Sequence, residues 1–218
     1  VSDYFDPLPA KRPTVATAFA SGGYRTAWFG KWHLGEKLRA QPPVGEGQAR
    51  IVVPENRRGQ FAWWEGFEGG FLNRDPWLQG SGWKEPTRIP GYQPEILVDR
   101  FCRFLDARSG REPLFGVLSL EPPHPPYGKL PSWVDLPVPD ALILRPNVPR
   151  GGALEARVRK ELAAYYGQIE AADRALGRFV ARISRSDRPW IVVFTSVHGD
   201  MHGSQGVLRK GWPYEESI

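Results

Sequence analysis

Residues 190–202 read Trp190-Ile-Val-Val-Phe-Thr-Ser-Val-His-Gly-Asp-Met-His202. Their first half, Ile191 to Phe194, is a run of β-branched and aromatic residues without a charge. Such a run predicts a strand buried on both faces, as in a parallel sheet covered by helices. The second half turns at once to hydroxyls, an imidazole, a glycine and a carboxylate. Open α/β sheets bind ligands where their strands end at the carboxyl edge. The stretch therefore predicts a site at the end of a buried strand.

The sequence on either side repeats this grammar. Upstream, Leu154 to Ile183 is the longest helical pattern, with Val158, Leu162, Tyr165 or Tyr166, Ile169, Ala172, Leu176, Phe179 and Ile183 on one stripe. Asp187-Arg-Pro189 turns it into the opening stretch, and a glycine-rich loop, Gly203 to Gly211, follows with Lys210. Further back, Leu114 to Leu120 predicts a second buried strand, which runs into Glu121-Pro-Pro-His-Pro-Pro-Tyr127. Before it, Tyr92 to Arg108 places Ile96 or Leu97, Phe101, Phe104 and Leu105 at helical spacing, and Ser109 to Pro113 makes the turn. Near the start, a helix over Thr14 to Ser21 stops at Gly22-Gly23. A short strand over Arg25 to Phe29 follows, closed by Gly30-Lys-Trp-His-Leu-Gly35.

This alternation predicts an α/β fold with a mostly parallel sheet and helices on both faces. Residues 36–90 break the rhythm. Trp63, Trp64, Trp77 and Trp83 sit there among glycines and prolines, with Trp32 just before. Aromatic density of that kind needs burial, so the segment reads as an irregular insertion with short strands, packed over the carboxyl edge of the sheet. Residues 128–150 are proline-rich and read as extended surface chain.

Composition narrows the possible functions. The 218 residues are 41% hydrophobic and 24% charged, as in a globular protein with an ordinary core. The net charge of +5 is spread among acidic residues, which argues against nucleic acid as a partner. No apolar run is long enough to span a membrane. Cys102 is the single cysteine, in a helical pattern, so an internal disulfide is excluded and an inert thiol is expected. The chain begins Val-Ser-Asp and stops at Glu-Glu-Ser-Ile, and it reads as a fragment incomplete at both ends.

The histidines carry the functional signal. His33, His124 and His198 each lie in the loop after a predicted strand, Lys31 and Lys210 stand beside them, and His202 is the fourth. Basic and imidazole groups gathered at one sheet edge predict an anion or metal site.

At this level the motifs resemble those of the sulfatase family, within the alkaline-phosphatase-like superfamily. Gly23-Tyr-Arg-Thr-Ala-Trp-Phe-Gly-Lys-Trp-His-Leu-Gly35 is similar to the second signature of that family. Pro123-His-Pro-Pro-Tyr127 resembles its histidine loop, and Thr195-Ser-Val-His-Gly-Asp200 resembles its Ser-Asp-His-Gly loop. Leu208 to Ile218 is similar to the segment that follows, so the resemblance spans nearly all of residues 1–218 as the central part of one catalytic domain.

The resemblance implies hydrolysis of a small sulfate ester by a formylglycine nucleophile with a divalent cation: calcium first, magnesium or manganese as alternatives. It implies that Lys31 and Lys210 contact sulfate oxygens and that His33 assists as a base. It further implies that His124 protonates the leaving oxygen and that His198 lies at the metal. Two features depart from the pattern. The Cys/Ser-X-Pro-X-Arg sequence that yields formylglycine is absent and expected in a missing N-terminal segment, and Val197 stands where a metal-ligating Asp is expected. An isopropyl group offers a hard cation no donor. The alternatives are a phosphonate monoester or phosphodiester hydrolase of the same superfamily, or a relative that keeps the fold with an impaired centre.

Overall fold

Trp28 and Phe29 point to opposite faces of the central strand, and each belongs to a separate aromatic core. The computed structural model describes residues 6–40 and 42–218. The first residues of the predicted domain, and residue 41 of the predicted insertion, lie outside the described residues.

In chain order the elements are helix α1 (Val15–Ser21), strand β1 (Arg25–Lys31), a single-turn helix α2 (Glu46–Ala49), and strands β2 (Trp63–Phe67), β3 (Trp77–Gly80) and β4 (Thr87–Arg88). Helix α3 (Gln93–Ala107), strand β5 (Leu114–Ser119) and helix α4 (Gly152–Ile183) follow. The sheet order is β4-β3-β2-β1-β5. β1 pairs in parallel with β2 on one side and with β5 on the other. β2–β3 and β3–β4 are short antiparallel pairings at one edge, so the sheet is mixed, with its longer pairings around β1 parallel.

On one face Ala27 and Phe29 meet Phe101 and Phe104 of α3, with Phe179 of α4 behind them. On the other, Trp28 joins Trp32, Val53, Phe61 and Trp64, and Phe115 stacks on Phe19 of α1 with ring centroids 4.0 Å apart. Helices therefore cover both faces, as the sequence pattern implies. Burial of each large core ring contributes roughly 1.5–3 kcal/mol.

Residues 36–90 differ in part from expectation. They supply β2, β3 and β4, extending the sheet, while Lys37, Glu68 and Phe71 do lie at its carboxyl edge. Two features hid β2. Glu65 puts a charge in mid-strand, and it is buried only because the Arg100 guanidinium of α3 donates to both its oxygens, at 2.7 and 2.9 Å. Gly66 also interrupts the apolar pattern, yet a Cβ there would stand 2.2 Å from the Gly30 carbonyl oxygen, so close strand pairing requires glycine.

The buried stripe of α4 is also shifted. Val158, Leu162 and Ile183 are buried as expected, but Gly167, Gln168, Ala171 and Ala175 replace Ile169 in the contact. The cause is the proline-rich chain of residues 128–150, which is not merely surface. Leu130, Val134 and Leu136 close on the side of Gly167, and Leu144 and Val148 form a core with Val158 and Leu162.

The largest correction concerns Ile191 to Phe194. These residues form no strand, and Ile191 and Phe194 are 93% and 86% exposed. A strand is made by ladder partners rather than by composition, and among the described residues β5 pairs only with β1. No described strand lies against 191–194.

Candidate active site

The carboxyl ends of β1 and β5, together with the chain after residue 197, bring the predicted residues into one cluster. β1 ends on Lys31, and the next turn holds His33 at φ 58°, a left-handed conformation. After β5 the chain passes through Glu121 to His124. Lys210 reaches in from the third segment. Its Nζ lies 3.2 Å from His124 Nε2 and 2.9 Å from His198 Nε2.

The tautomers follow from the other ring nitrogens. His124 Nδ1–H donates to the Pro125 carbonyl at 2.6 Å, and His198 Nδ1–H donates to that of Gly199 at 2.7 Å. Each Nε2 lone pair therefore faces the Lys210 ammonium. Burial, then Lys31 beside it, lowers the proton affinity of Lys210. Burial lowers His124 to about 4, with Lys31 and Lys210 acting in the same direction. His33 is lowered to about 3, first by burial and then by Lys31, Lys37 and Lys210. Both imidazoles are neutral at physiological pH.

Residues without an assigned role in the sequence reading complete the cluster. Glu121 pairs with Lys31 at 2.9 Å, with its own side chain fully buried. Phe71 stacks on His124, with centroids 4.5 Å apart, and its face lies 4.2 Å from Lys31 Nζ. Lys37 pairs with the buried Glu68 at 3.2 Å, and the Gly35 N–H donates to the same carboxylate at 2.7 Å, which fixes the turn around His33. Beside them a cavity of about 360 Å³ is lined in part by His33, Lys37, Arg39, Glu68 and Phe71. Glu121 had a sequence signal, a lone acid directly after a buried strand. Phe71 had none, because only the tertiary fold brings it to Lys31.

The loop bearing Lys210 is held from below. Asp200 accepts the Tyr127 hydroxyl at 3.0 Å and the backbone N–H groups of His202 and Arg209 at 3.0 and 3.2 Å. The Arg209 guanidinium donates to Glu161 of α4 at 2.8 and 3.2 Å. Nearby burial and the Asp200 charge push the Tyr127 hydroxyl above its ordinary value. His202 is buried below this loop, against Tyr165, and stands apart from the Lys210 cluster.

The Sulfatase family model matches residues 1–217. The chain belongs to the sulfatase family. The ulvan-active sulfatase of Formosa agariphila is 32% identical over 218 residues, which cover 97% of this chain and 40% of that protein. The solved yidJ structure from Bacteroides fragilis aligns with a TM-score of 0.84 at 24% identity, over 98% of this chain and 49% of that one. The phosphonate monoester hydrolase of Agrobacterium radiobacter shares the fold with a TM-score of 0.63 at 18% identity, over 98% and 52%. This sulfatase-family chain thus spans about half the length of the relatives it matches.

A hard divalent cation needs several oxygen donors. Among the described residues no three His, Cys, Asp or Glu side chains are grouped to hold one. His198 Nε2 faces an ammonium, Val197 is 96% exposed, and the Asp200 oxygens are engaged by Tyr127 and backbone N–H groups. These residues do not by themselves fit the metal that the family resemblance implies.

Proposed function

We propose that the polypeptide containing this chain hydrolyses a small sulfate ester, with Lys31 and Lys210 binding the sulfate oxygens. The observation that carries this reading is the convergence of Lys31, Lys210, His33 and His124 from three segments on one sheet edge. Two ammonium groups in a partly desolvated site favour an oxyanion whose charge grows as the ester bond breaks. His33, neutral and close to both lysines, takes a proton in the base role. His124, protonated at Nε2 from solvent in the substrate complex, delivers that proton to the leaving oxygen. Its affinity is depressed in part by Lys31 and Lys210, and the charge of a bound sulfate ester offsets both, raising the affinity as substrate arrives.

The nucleophile, a formylglycine by the family resemblance, lies outside the described residues, and no step is derived through it or through a metal. For the metal we propose His198 as the donor from this chain, its Nε2 freed when the Lys210 ammonium turns to the sulfate, with the anionic ligands supplied from elsewhere in the polypeptide. Calcium is the first choice and magnesium or manganese the alternatives. Val197→Asp adds an anionic oxygen beside His198 and is expected to tighten calcium binding, read by calorimetry. Unchanged binding would remove Val197 from the metal corner.

The functional test uses the full-length polypeptide with nitrophenyl sulfate and the corresponding phenylphosphonate ester. Faster turnover of the sulfate, lost in Lys210→Ala, supports the proposal. A preference for the phosphonate moves the assignment to the other tetrahedral anion, and Lys210→Ala with full activity overturns it.

A further inference from the structure

Lys31 is held more firmly than anion binding alone requires. Glu121 approaches its Nζ at 2.9 Å, and the two side chains are 0% and 13% exposed. Glu121 is itself gripped by Gln93, the first residue of α3, which is fully buried. The Gln93 amide donates to Glu121 Oε2 at 3.1 Å and to the Leu72 carbonyl at 3.2 Å, while its oxygen accepts the Glu121 backbone N–H at 3.0 Å. One side chain thus fixes both the backbone and the carboxylate of Glu121. Phe71 confines the ammonium with a ring face 4.2 Å away.

A buried carboxylate is costly unless paired and hydrogen-bonded. This one is, and its pairing has a geometric effect. Lysine ends a flexible four-carbon stem, so an ammonium facing solvent would occupy many positions. We infer that Glu121, locked by Gln93, is a positioning residue that fixes the Lys31 ammonium at the sheet edge before substrate binds. The inference rests on the sulfate-ester reading above. It implies a division of labour: Lys31 is charge-balanced and contributes place, whereas Lys210, between two imidazoles, contributes net positive charge.

The test is a double-mutant cycle in the full-length polypeptide, assayed with nitrophenyl sulfate where circular dichroism shows every variant folded. Glu121→Gln keeps the shape but turns an amide donor or a weaker acceptor toward the ammonium. With Lys31 present it is expected to lower kcat by about a hundred-fold, the scale of a misplaced reacting group, with much less change in KM. In a Lys31→Met background the same substitution is expected to cost less than about two-fold, because residues acting as a unit are not additive.

Equal losses in both backgrounds would show a merely structural role and overturn the inference, as would full activity of Glu121→Gln with Lys31 in place. Lys31→Met alone tests the parent reading: full activity there brings down the sulfate-binding assignment whatever Glu121 does. If Glu121→Gln does not fold, Gln93→Met takes its place in the same cycle, with the same pattern expected and the same pattern of equal losses overturning it.

Discussion

Two neighbouring segments, residues 191–194 and 198–211, have opposite fates. The first is apolar, looks like a buried strand and is bare: Val193 is 81% exposed. The second is polar, looks like a mobile loop and is tied down throughout. Asp200 gathers Tyr127 and two backbone N–H groups, Arg145 donates to the carbonyls of Asp200 and Met201, and Met201 is fully buried. An apolar strand is only a half-interaction, because its backbone groups wait for a neighbour. A polar loop can bring its own partners, and this one does so through residues far away in sequence. Among the described residues the site therefore rests on the hydrogen-bonded loop, and no partner strand covers the greasy stretch before it.

The sharpest way to break this contrast is Asp200→Ala. It removes the acceptor for the Tyr127 hydroxyl and for the N–H groups of His202 and Arg209, while Arg209 keeps Glu161. Stranding buried donors costs about 1–3 kcal/mol for each group, so a loss of about 3–5 kcal/mol is expected in urea denaturation. A loss under about 1 kcal/mol would mean that the loop is held by something else. Gly199→Ala is the next step down. A Cβ there would come 2.1 Å from the Glu216 carbonyl oxygen, so the loop and the C-terminal turn must separate. Overpacking of this kind costs about 1–3 kcal/mol, and Lys210 is expected to lose its place along with it. Retained stability and activity would show that the turn yields freely.

A smaller effect lies in the pH dependence. His33 binds its proton in the unfolded chain near 6.5 and in the folded protein only near 3, because burial and the nearby lysines oppose the charge. The unfolded state therefore binds more protons between these values. Stability is undiminished by His33 above pH 6.5, falls as the pH drops through the window, and levels off below about 3. His33→Asn, which also tolerates the left-handed backbone, is expected to flatten the slope between pH 6.5 and 4 in urea midpoints. Glu68, raised by burial, titrates with the opposite sign in both proteins and cancels in the comparison. An unchanged slope would place the His33 ring in water.

Which parts were legible in the sequence follows from the same physics. α3 was readable because Leu97, Phe101 and Phe104 carry its periodicity in its own residues, and Pro94 marks its first turn. β1 and β5 were readable as short apolar runs ending in polar loops. Lys31, His124, His198 and Lys210 could be singled out because each follows such a run or sits in a glycine-rich loop, and the structure brings these four together. What could not be read depends on partners. Glu65 looks unsuited to a strand until Arg100 is placed beside it, and Ile169 looks buried until the chain 128–150 claims the Gly167 side of α4. Ile191 to Phe194 failed in the opposite direction, with apolar residues and no described strand to pair with. The support of Lys31 by Glu121, Gln93 and Phe71 was silent for the same reason, since it joins three segments far apart in sequence.

The weakest expected effect is the most direct test of the bare segment. Val193→Thr keeps the branched shape and exchanges a methyl for a hydroxyl on a side chain that faces water. Surface substitutions of this kind stay within about 0.5 kcal/mol, so the urea midpoint of this chain is expected to hardly move. An exposed apolar run with free backbone groups is also a template for pairing with another strand. Val193→Lys is accordingly expected to reduce concentration-dependent association in sedimentation velocity while leaving the midpoint unchanged. A loss above about 1 kcal/mol in either variant would mean that the segment is packed in solution, and the contrast with the loop after it would then disappear.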